Sequence, residues 1–476
     1  MASVCDMHLN KNRKTRIICT LGPATDSDEM LESLILAGAD VFRLNLSHAT
    51  HAWVREICPR IRAVSEKVGK HTGILFDLQG PSIRTGDVDG ELVLNKGDLV
   101  EFRKNGTEPS ITLSTTVNYD GLMADVSVGD RLIVDNGNLL MRIKETGSGR
   151  IICEVKTEGT MGSRRHINLP GVRLNLPALT RKDHQDLAVA CDCGVDFIAG
   201  SFVRDADHVR ELRSTMLERG GDAQIIAKIE DQEAVRNIDA IIAEANIVMV
   251  ARGDLGIEVN IEELPIIQRK IVKRCMVMGT RVIVATHMLE SMLTNPLPTR
   301  AEVTDVSNAV FEEADAVMLS GETSVGKYPI ECVEILNRIA RRIERSGGMG
   351  YGREALLRTE RQKTVRAAVQ LADSIADARV VVFTRRGNMP VQTALLRPHS
   401  CIHAFAPDSG TCRKINLARG VLARKIDFDG GQDAMLLRAI KVLRDEGAVA
   451  EGTPLVVISD MVQKGQVIDS VLLTHA

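Results

Sequence analysis

A chain of 476 residues is long enough for about three domains of ~150 residues, which excludes a small disulfide-stapled scaffold. Sixty Lys and Arg against 63 Asp and Glu give a formal charge of -3, so no global basic excess exists to coat a nucleic-acid backbone. No run approaches the ~18 apolar residues of a membrane helix, and residues 1–14 lack the apolar core of a secretory leader; the expected setting is cytoplasmic, with neither nucleic acid nor membrane as partner.

Apolar residues make up 44% of the chain but aromatics only 3%, so the core must be Ile, Val, Leu and Ala, the usual filling of α/β layers. The ten cysteines are scattered, and Cys191 with Cys193 lacks the second pair of a zinc site. They read as reduced, mostly core residues.

From the amino terminus, short β-branched runs at 17–21, 41–44 and 74–77 alternate with helical periodicity at 28–37 and 54–68. The rhythm resumes with strands at 197–201, 225–229, 247–251, 282–285 and 316–319. Eight parallel strands joined by helices can close into a barrel, which removes sheet edges and gathers the strand-end loops on one face. Polar residues at those ends are therefore catalytic candidates. Between the two sets, 86–171 breaks into short alternating pieces at 92–94, 132–134, 140–143 and 151–156. This predicts a β insertion after the third strand, placed as a lid over the strand-end face; an insertion with no part in the chemistry is the alternative.

A helix at 330–345 runs into the glycine-rich stretch 346–352, a domain boundary. Beyond it, a helix at 363–375 and strands at 379–383, 402–404, 422–426 and 454–458 predict a smaller open α/β domain. The expected fold class is α/β: an eight-stranded (β/α) barrel, an inserted β-barrel lid and a C-terminal open α/β domain, divided as 1–85, 86–171, 172–350 and 351–476. No Gly-x-Gly-x-x-Gly follows a strand and no Walker lysine motif occurs, so phosphate must be handled by other means.

The strand ends are rich in candidates. Arg43, Asn45, Ser47 and His48 follow the second strand; an arginine fork suits phosphate, while Asn45 and Ser47 offer neutral oxygens to a weakly charged cation. The turn Asp77-Leu78-Gln79-Gly80-Pro81 can add the Asp77 carboxylate and the Leu78 carbonyl to that cation cage, leaving Arg84 for an anion. Lys228 and Glu230 alternate at the fifth strand and Asp254 follows the sixth. Glu230 and Asp254 form a reasonable pair for a hard divalent cation. Gly253 lets its own amide and that of Asp254 approach a carboxylate. Thr286 after the seventh strand can pass a proton through solvent, and Ser320 with Thr323 after the eighth can order water. Mouth ion pairs, turns and helix caps would use the same residue types.

Assembled, these segments resemble the pyruvate kinase family, in particular its bacterial type. The resemblance rests on Arg43-Leu44-Asn45-Leu46-Ser47-His48, Asp77-Leu78-Gln79-Gly80-Pro81, Lys228-Ile229-Glu230, Ala251-Arg252-Gly253-Asp254-Leu255-Gly256 and Ala285-Thr286-His287-Met288. It implies phosphoryl transfer from phosphoenolpyruvate to ADP, giving pyruvate and ATP, with Mg²⁺ or Mn²⁺ held by Glu230 and Asp254. It further implies that Arg43 and Lys228 compensate phosphoryl charge, that substrate lies along Arg43, Lys228, Gly253, Asp254 and Thr286, that Thr286 serves the proton relay, and that His48 and Arg84 meet nucleotide. A homotetramer is implied as well.

Two departures matter. Relatives carry Glu or Lys where this chain has Ser82, in potassium-requiring and potassium-independent members respectively; K⁺ stimulation through Asn45, Ser47, Asp77 and Leu78 is still expected. The Ser/Thr-rich phosphate loop of regulated members is replaced by Thr384-Arg385-Arg386-Gly387, so Arg385 and Arg386 offer a phosphorylated effector either an anion site or merely solvated charge. A Mg²⁺-dependent lyase acting on a pyruvate enolate and a catalytically silent metabolite sensor are the rival functions.

Overall fold

The computed structural model describes residues 13–463 and 466–476, with the side chains of 460–468 left out of the description. The segment expected to carry no secretory leader lies almost wholly outside the described residues.

The barrel strands are β1 (Arg16–Thr20), β2 (Val41–Asn45) and β3 (Gly73–Asp77). After the insertion, formed by β4 (Leu92–Leu94), β5 (Leu99–Lys104), β6 (Ser114–Val117), β7 (Arg131–Val134), β8 (Leu139–Gly147), β9 (Arg150–Val155), β10 (Gly159–Met161) and β11 (Ile167–Asn168), the barrel resumes. Its remaining strands are β12 (Phe197–Gly200), β13 (Gln224–Ile229), β14 (Ile247–Ala251), β15 (Arg281–Ala285) and β16 (Ala316–Leu319). They close in the order β1-β16-β15-β14-β13-β12-β3-β2, every pairing parallel.

Why these runs make a barrel follows from two-sided burial. Ile17 and Cys19 point outward into the layer shared with the helices, while Ile18 between them joins Leu75, Met249 and Ile283 in the barrel interior. Alternate residues thus serve two cores, so the strands are apolar throughout rather than alternating. The interior cluster is completed by Leu417 from the C-terminal domain. That domain also grips the barrel through the buried Arg397–Asp315 pair at 3.0 Å. Connecting helices start on caps legible in the sequence: Thr50 accepts from the Trp53 amide, and Thr180 with Asp183 and Thr299 with Glu302 form capping boxes.

The insertion differs from the closed β-barrel expected of it. It is a six-stranded sheet in the order β11-β7-β8-β9-β5-β6, mixed because β5 and β6 run parallel, with β10 and β4 as a separate two-stranded ribbon. Two antiparallel tethers carry it: Arg84 bridges His166, the Thr85 amide donates to the Arg165 carbonyl at 2.9 Å, and the Ile167 amide donates to the Ile83 carbonyl at 2.9 Å.

In the C-terminal domain, β17 (Arg379–Phe383), β18 (Ile402–Ala406), β19 (Val421–Lys425), β20 (Pro454–Gln463) and β21 (Gln466–His475) order as β19-β18-β17-β20-β21. The first four are parallel, and β21, which strand periodicity did not reveal, turns back antiparallel on β20. Among the described residues no helix is long and apolar enough to cross a membrane.

Candidate active site

The carboxyl ends of β2, β3, β12 and β13 bring one buried charge network together. Arg43 on β2 donates from Nε to Asp77 Oδ2 at 2.7 Å and from Nη1 to the Thr20 hydroxyl at 3.0 Å. Asp77, at the end of β3 and 1% exposed, meets Lys228 on its other oxygen at 3.2 Å. Burial alone would push the Asp77 carboxyl up, but Lys228 and Arg43 outweigh it and hold it below the usual carboxylate range.

Lys228 is the hub. Its ammonium lies 2.8 Å from Glu230 Oε1 and donates to the Ser201 hydroxyl at 2.7 Å. Burial lowers its affinity for the proton, yet Asp77, Glu230 and Asp254 together keep it above the ordinary lysine value, so it stays charged. Glu230 is equally buried and accepts the Phe202 amide at 2.5 Å. Burial, with Asp254 adding to it, pushes the Glu230 carboxyl up to about 7 against the opposing pull of Lys228.

Asp254 sits half-buried in the first turn of the helix Arg252–Glu258, close enough to act on Glu230, Lys228 and the lid residue His166. Burial first, and Asp254 after it, make Glu230 resist ionisation, which a divalent cation would relieve. This donor set of hard carboxylate oxygens fits Mg²⁺ or Mn²⁺.

Gly253 borders the Thr286 turn. A Cβ there would lie 3.5 Å from Thr286 Oγ1, an ordinary contact, and its amide already donates to that hydroxyl at 2.8 Å. The Gly253 amide thus positions the Thr286 hydroxyl. Thr286 in turn donates to the Ala285 carbonyl at 2.6 Å. Thr286 and His287 both lie in the left-handed region, at φ 67° and 52°, a conformation that costs a β-branched residue about 1–3 kcal/mol. Arg252 holds this turn: its guanidinium donates to the carbonyls of Ala285, Thr286 and His287 and pairs with Asp305 at 2.6 Å.

The expected potassium donors are partly engaged. Asp77 is taken on both oxygens by Arg43 and Lys228, and the Leu78 carbonyl accepts the Ser201 hydroxyl at 2.8 Å. Asn45 Oδ1 caps the Ser47 amide at 3.2 Å. Gly80, at φ 69°, has no room for a side chain, since a Cβ would meet Ser201 Cβ at 2.8 Å; the turn is pressed against the network. Ser82 accepts from Arg84 at 3.3 Å, and Arg84 also donates to the Arg164 carbonyl at 3.1 Å, which puts it in the lid tether. His48 is exposed on the turn after β2. Thr323 does not order water: it is fully buried and donates to the Thr20 carbonyl at 2.8 Å, while the Ser320 hydroxyl is buried without a partner. Arg385 and Arg386 are exposed, Arg385 lying over the Phe428 ring at 5.3 Å.

Four contributors escaped sequence reasoning: Thr20, Ser201, Arg252 and His166. Thr20 ends β1 and Ser201 directly follows β12, a signal that could have nominated them. His166 packs on Phe202, with ring centroids 5.8 Å apart, and is held below the ordinary imidazole value by burial and Arg84 against the opposing pull of Asp254. Nothing in its local sequence predicts that contact.

Residues 12–333 match the family model for the pyruvate kinase barrel domain, and residues 362–469 match that for the pyruvate kinase alpha/beta domain. A chloroplastic pyruvate kinase isozyme G of Nicotiana tabacum is 38% identical over 451 residues, covering 94% of this chain and 80% of the relative. A pyruvate kinase of Bacillus licheniformis is 38% identical over 464 residues, covering 94% and 78%. Pyruvate kinase 2 of Synechocystis sp. is 40% identical over 415 residues, covering 86% and 70%.

Proposed function

The chain belongs to the pyruvate kinase family, and on that premise we propose that its barrel mouth moves the phosphoryl group of phosphoenolpyruvate onto ADP, yielding pyruvate and ATP in glycolysis. The observation that carries this reading is the position of Lys228: its ammonium is shared among Asp77, Glu230 and Ser201 and lies in the field of Asp254. A permanently charged cation facing a divalent-metal pair is what a transferring phosphoryl group requires, since such transfer depends on alignment and charge compensation rather than on a protein nucleophile.

In the reaction the enol oxygen–phosphorus bond breaks and a bond from phosphorus to a terminal oxygen of ADP forms, leaving an enolate that takes a proton on its methylene carbon. Lys228 compensates charge on the phosphoryl group and then on the enolate oxygen. Arg43 gives the phosphoryl group a second cationic face, with its own orientation set by Asp77 and Thr20. Mg²⁺ or Mn²⁺ held by Glu230 and Asp254 would supply Lewis-acid compensation for the oxygens of both substrates. Thr286 passes the proton through ordered water when its hydroxyl turns from the Ala285 carbonyl. Arg84 and His48 meet nucleotide, and the lid 86–171, closing through its tethers, keeps water from the phosphoryl group. K⁺ would be held by Asn45 and Ser47 together with Asp77 and the Leu78 carbonyl, where it would add positive charge beside the phosphoryl group. The division into 1–85, 86–171, 172–350 and 351–476, a cytoplasmic setting and a homotetramer belong to the same reading; Ile261 and Leu297, exposed apolar side chains on the barrel, support further contacts between chains. A phosphorylated effector at Arg385 and Arg386 has only their exposure in its favour.

The test is pyruvate formation from phosphoenolpyruvate, ADP and Mg²⁺, followed in a coupled assay with K⁺ or with tetramethylammonium at equal ionic strength. Turnover that requires both substrates and the metal, and rises with K⁺, supports the reading. Absence of turnover in folded, metal-loaded protein would return the silent sensor, and pyruvate release from oxaloacetate without ADP would return the lyase.

A further inference from the structure

The end of the barrel opposite the mouth faces a cleft of about 1270 Å³ between the barrel's amino-terminal loops and the C-terminal domain. Nine lysines and arginines line it against three carboxylates. Some of these cations are satisfied: Arg13 and Arg16 share Asp40, and Arg424 holds Glu446 at 2.6 Å. Arg62 and Arg413 divide Asp196, each at 2.8 Å. Lys70 and Lys425 have no carboxylate partner among the described residues, and Arg379 donates only to the carbonyls of Asp377 and Ala378.

The excess positive charge is contributed by both domains. Lys70 and His71 lie on the loop between the helix His51–Lys67 and β3; Lys425 ends β19, the outer strand of the C-terminal sheet; Arg413 belongs to the helix Ser409–Ile415. They converge on His71, whose imidazole is held below its ordinary value by burial and then by Arg413, Lys425 and Lys70. Along the same cleft, burial followed by Arg424 and Arg379 brings His403 down to about 3. Both rings are therefore neutral near pH 7, able to hydrogen-bond without adding charge. Three convergent cations with a single shared counter-carboxylate exceed what one carboxylate ligand neutralises. They match a phosphate ester, which brings about two negative charges and several acceptor oxygens.

We propose that this cleft is a binding site for a small phosphate-bearing anion, held by Lys70, Arg413 and Lys425 beside His71, and that its occupancy fastens the C-terminal domain to the barrel. Free inorganic phosphate and a phosphorylated metabolite share this chemistry. The site is separate from the exposed Arg385 and Arg386 and independent of catalysis at the mouth.

Isothermal titration of the full chain, with Mg²⁺ and saturating pyruvate, which carries no phosphate and occupies the mouth, uses glycerol 3-phosphate, inorganic phosphate and glycerol as probes. Both phosphates are expected to bind and glycerol is not. Lys70→Glu and Lys425→Glu, at exposed positions without partners, should each weaken phosphate binding by about tenfold or more, and Arg385→Glu with Arg386→Glu should leave it unchanged. A tighter ester than free phosphate points to a metabolite, and equal affinities point to phosphate itself. Slower hydrogen exchange in β19 on phosphate addition reads the fastening. No binding to the unmodified chain, equal affinity in the Lys70 and Lys425 variants, loss confined to the Arg385 and Arg386 variant, or unchanged exchange in β19 would each overturn the proposal.

Discussion

Burial raises two carboxyls at the barrel mouth and lowers two imidazoles at the far end, in each case favouring the neutral form, but the charges around them differ. At the mouth, carboxylates outnumber nearby cations, and Glu230 and Glu258 are both raised to about 7, each by burial first. At the far end cations are in excess, and His71 and His403 are both lowered by burial and neighbouring cations. The same few residue types thus build two receptors. The mouth calls first for a cation and, through Lys228 and Arg43, for an anion beside it; the cleft calls for an anion directly. Charge pairing across distant segments decides this, and net charge does not.

The most damaging change to the mouth is Lys228→Ala. It leaves Asp77 and Glu230 facing without their common cation, so turnover should fall by ~10³-fold or more while the half-saturating ADP concentration moves by less than about threefold. Steady-state rates of pyruvate formation measure both, and near-normal turnover would remove Lys228 from the reaction.

Glu258 tests the carboxylate-rich side of the contrast. It lies buried beneath the lid, accepts the Asn168 amide at 3.1 Å and has no ion-pair partner among the described residues. Its folded-state value near 7 stands above the ordinary 4.5, so its contribution is fully present below about pH 4.5 and is lost as pH rises through about 7. Urea unfolding of the unmodified chain should lose about 2 kcal/mol between about pH 5 and pH 7 from this group. Glu258→Gln should flatten that part of the profile; an unchanged slope would place the pH dependence elsewhere.

A smaller effect is expected at the hinge of the network. Gly80→Ala adds a Cβ 2.8 Å from Ser201 Cβ at a residue with φ 69°, and should lower unfolding free energy by about 2 kcal/mol. If stability is unaffected, the Gly80 turn is not pinned against Ser201. Smallest of all, Arg385→Ala removes an exposed arginine lying on Phe428 and should leave turnover within about twofold. A larger change would draw that loop into the working enzyme.

The barrel was legible because its strands are buried on both faces. Ile247–Ala251 and Arg281–Ala285 are buried at every position and leave the apolar runs 247–251 and 282–285, and the helix Asp28–Ala37 carries its Ser27 cap in plain sight. The insertion was harder to read. Leu99–Lys104 contains Glu101, fully buried, which periodicity alone would put in solvent; it is satisfied by Ser110, Ser114 and Arg150. Those partners lie 9 to 49 residues away, beyond any local pattern. The same limit explains the missed site residues: Arg252 stood inside a recognised motif, but its three carbonyl acceptors belong to the next strand's turn.

By itself, the sequence determined the order of strands, the residues at their carboxyl ends and the family of the chain, because two-sided burial and motif spacing are written locally. Only the tertiary structure decided who pairs with whom: that Asp77 serves Arg43 and Lys228 at once, that Gly253 holds Thr286, and that Lys70 and Lys425 converge on His71 from different domains. The physical reason is that a charge or hydrogen bond is settled by separation in space. Closing a barrel and docking a second domain bring together groups whose distance along the chain says nothing about that separation.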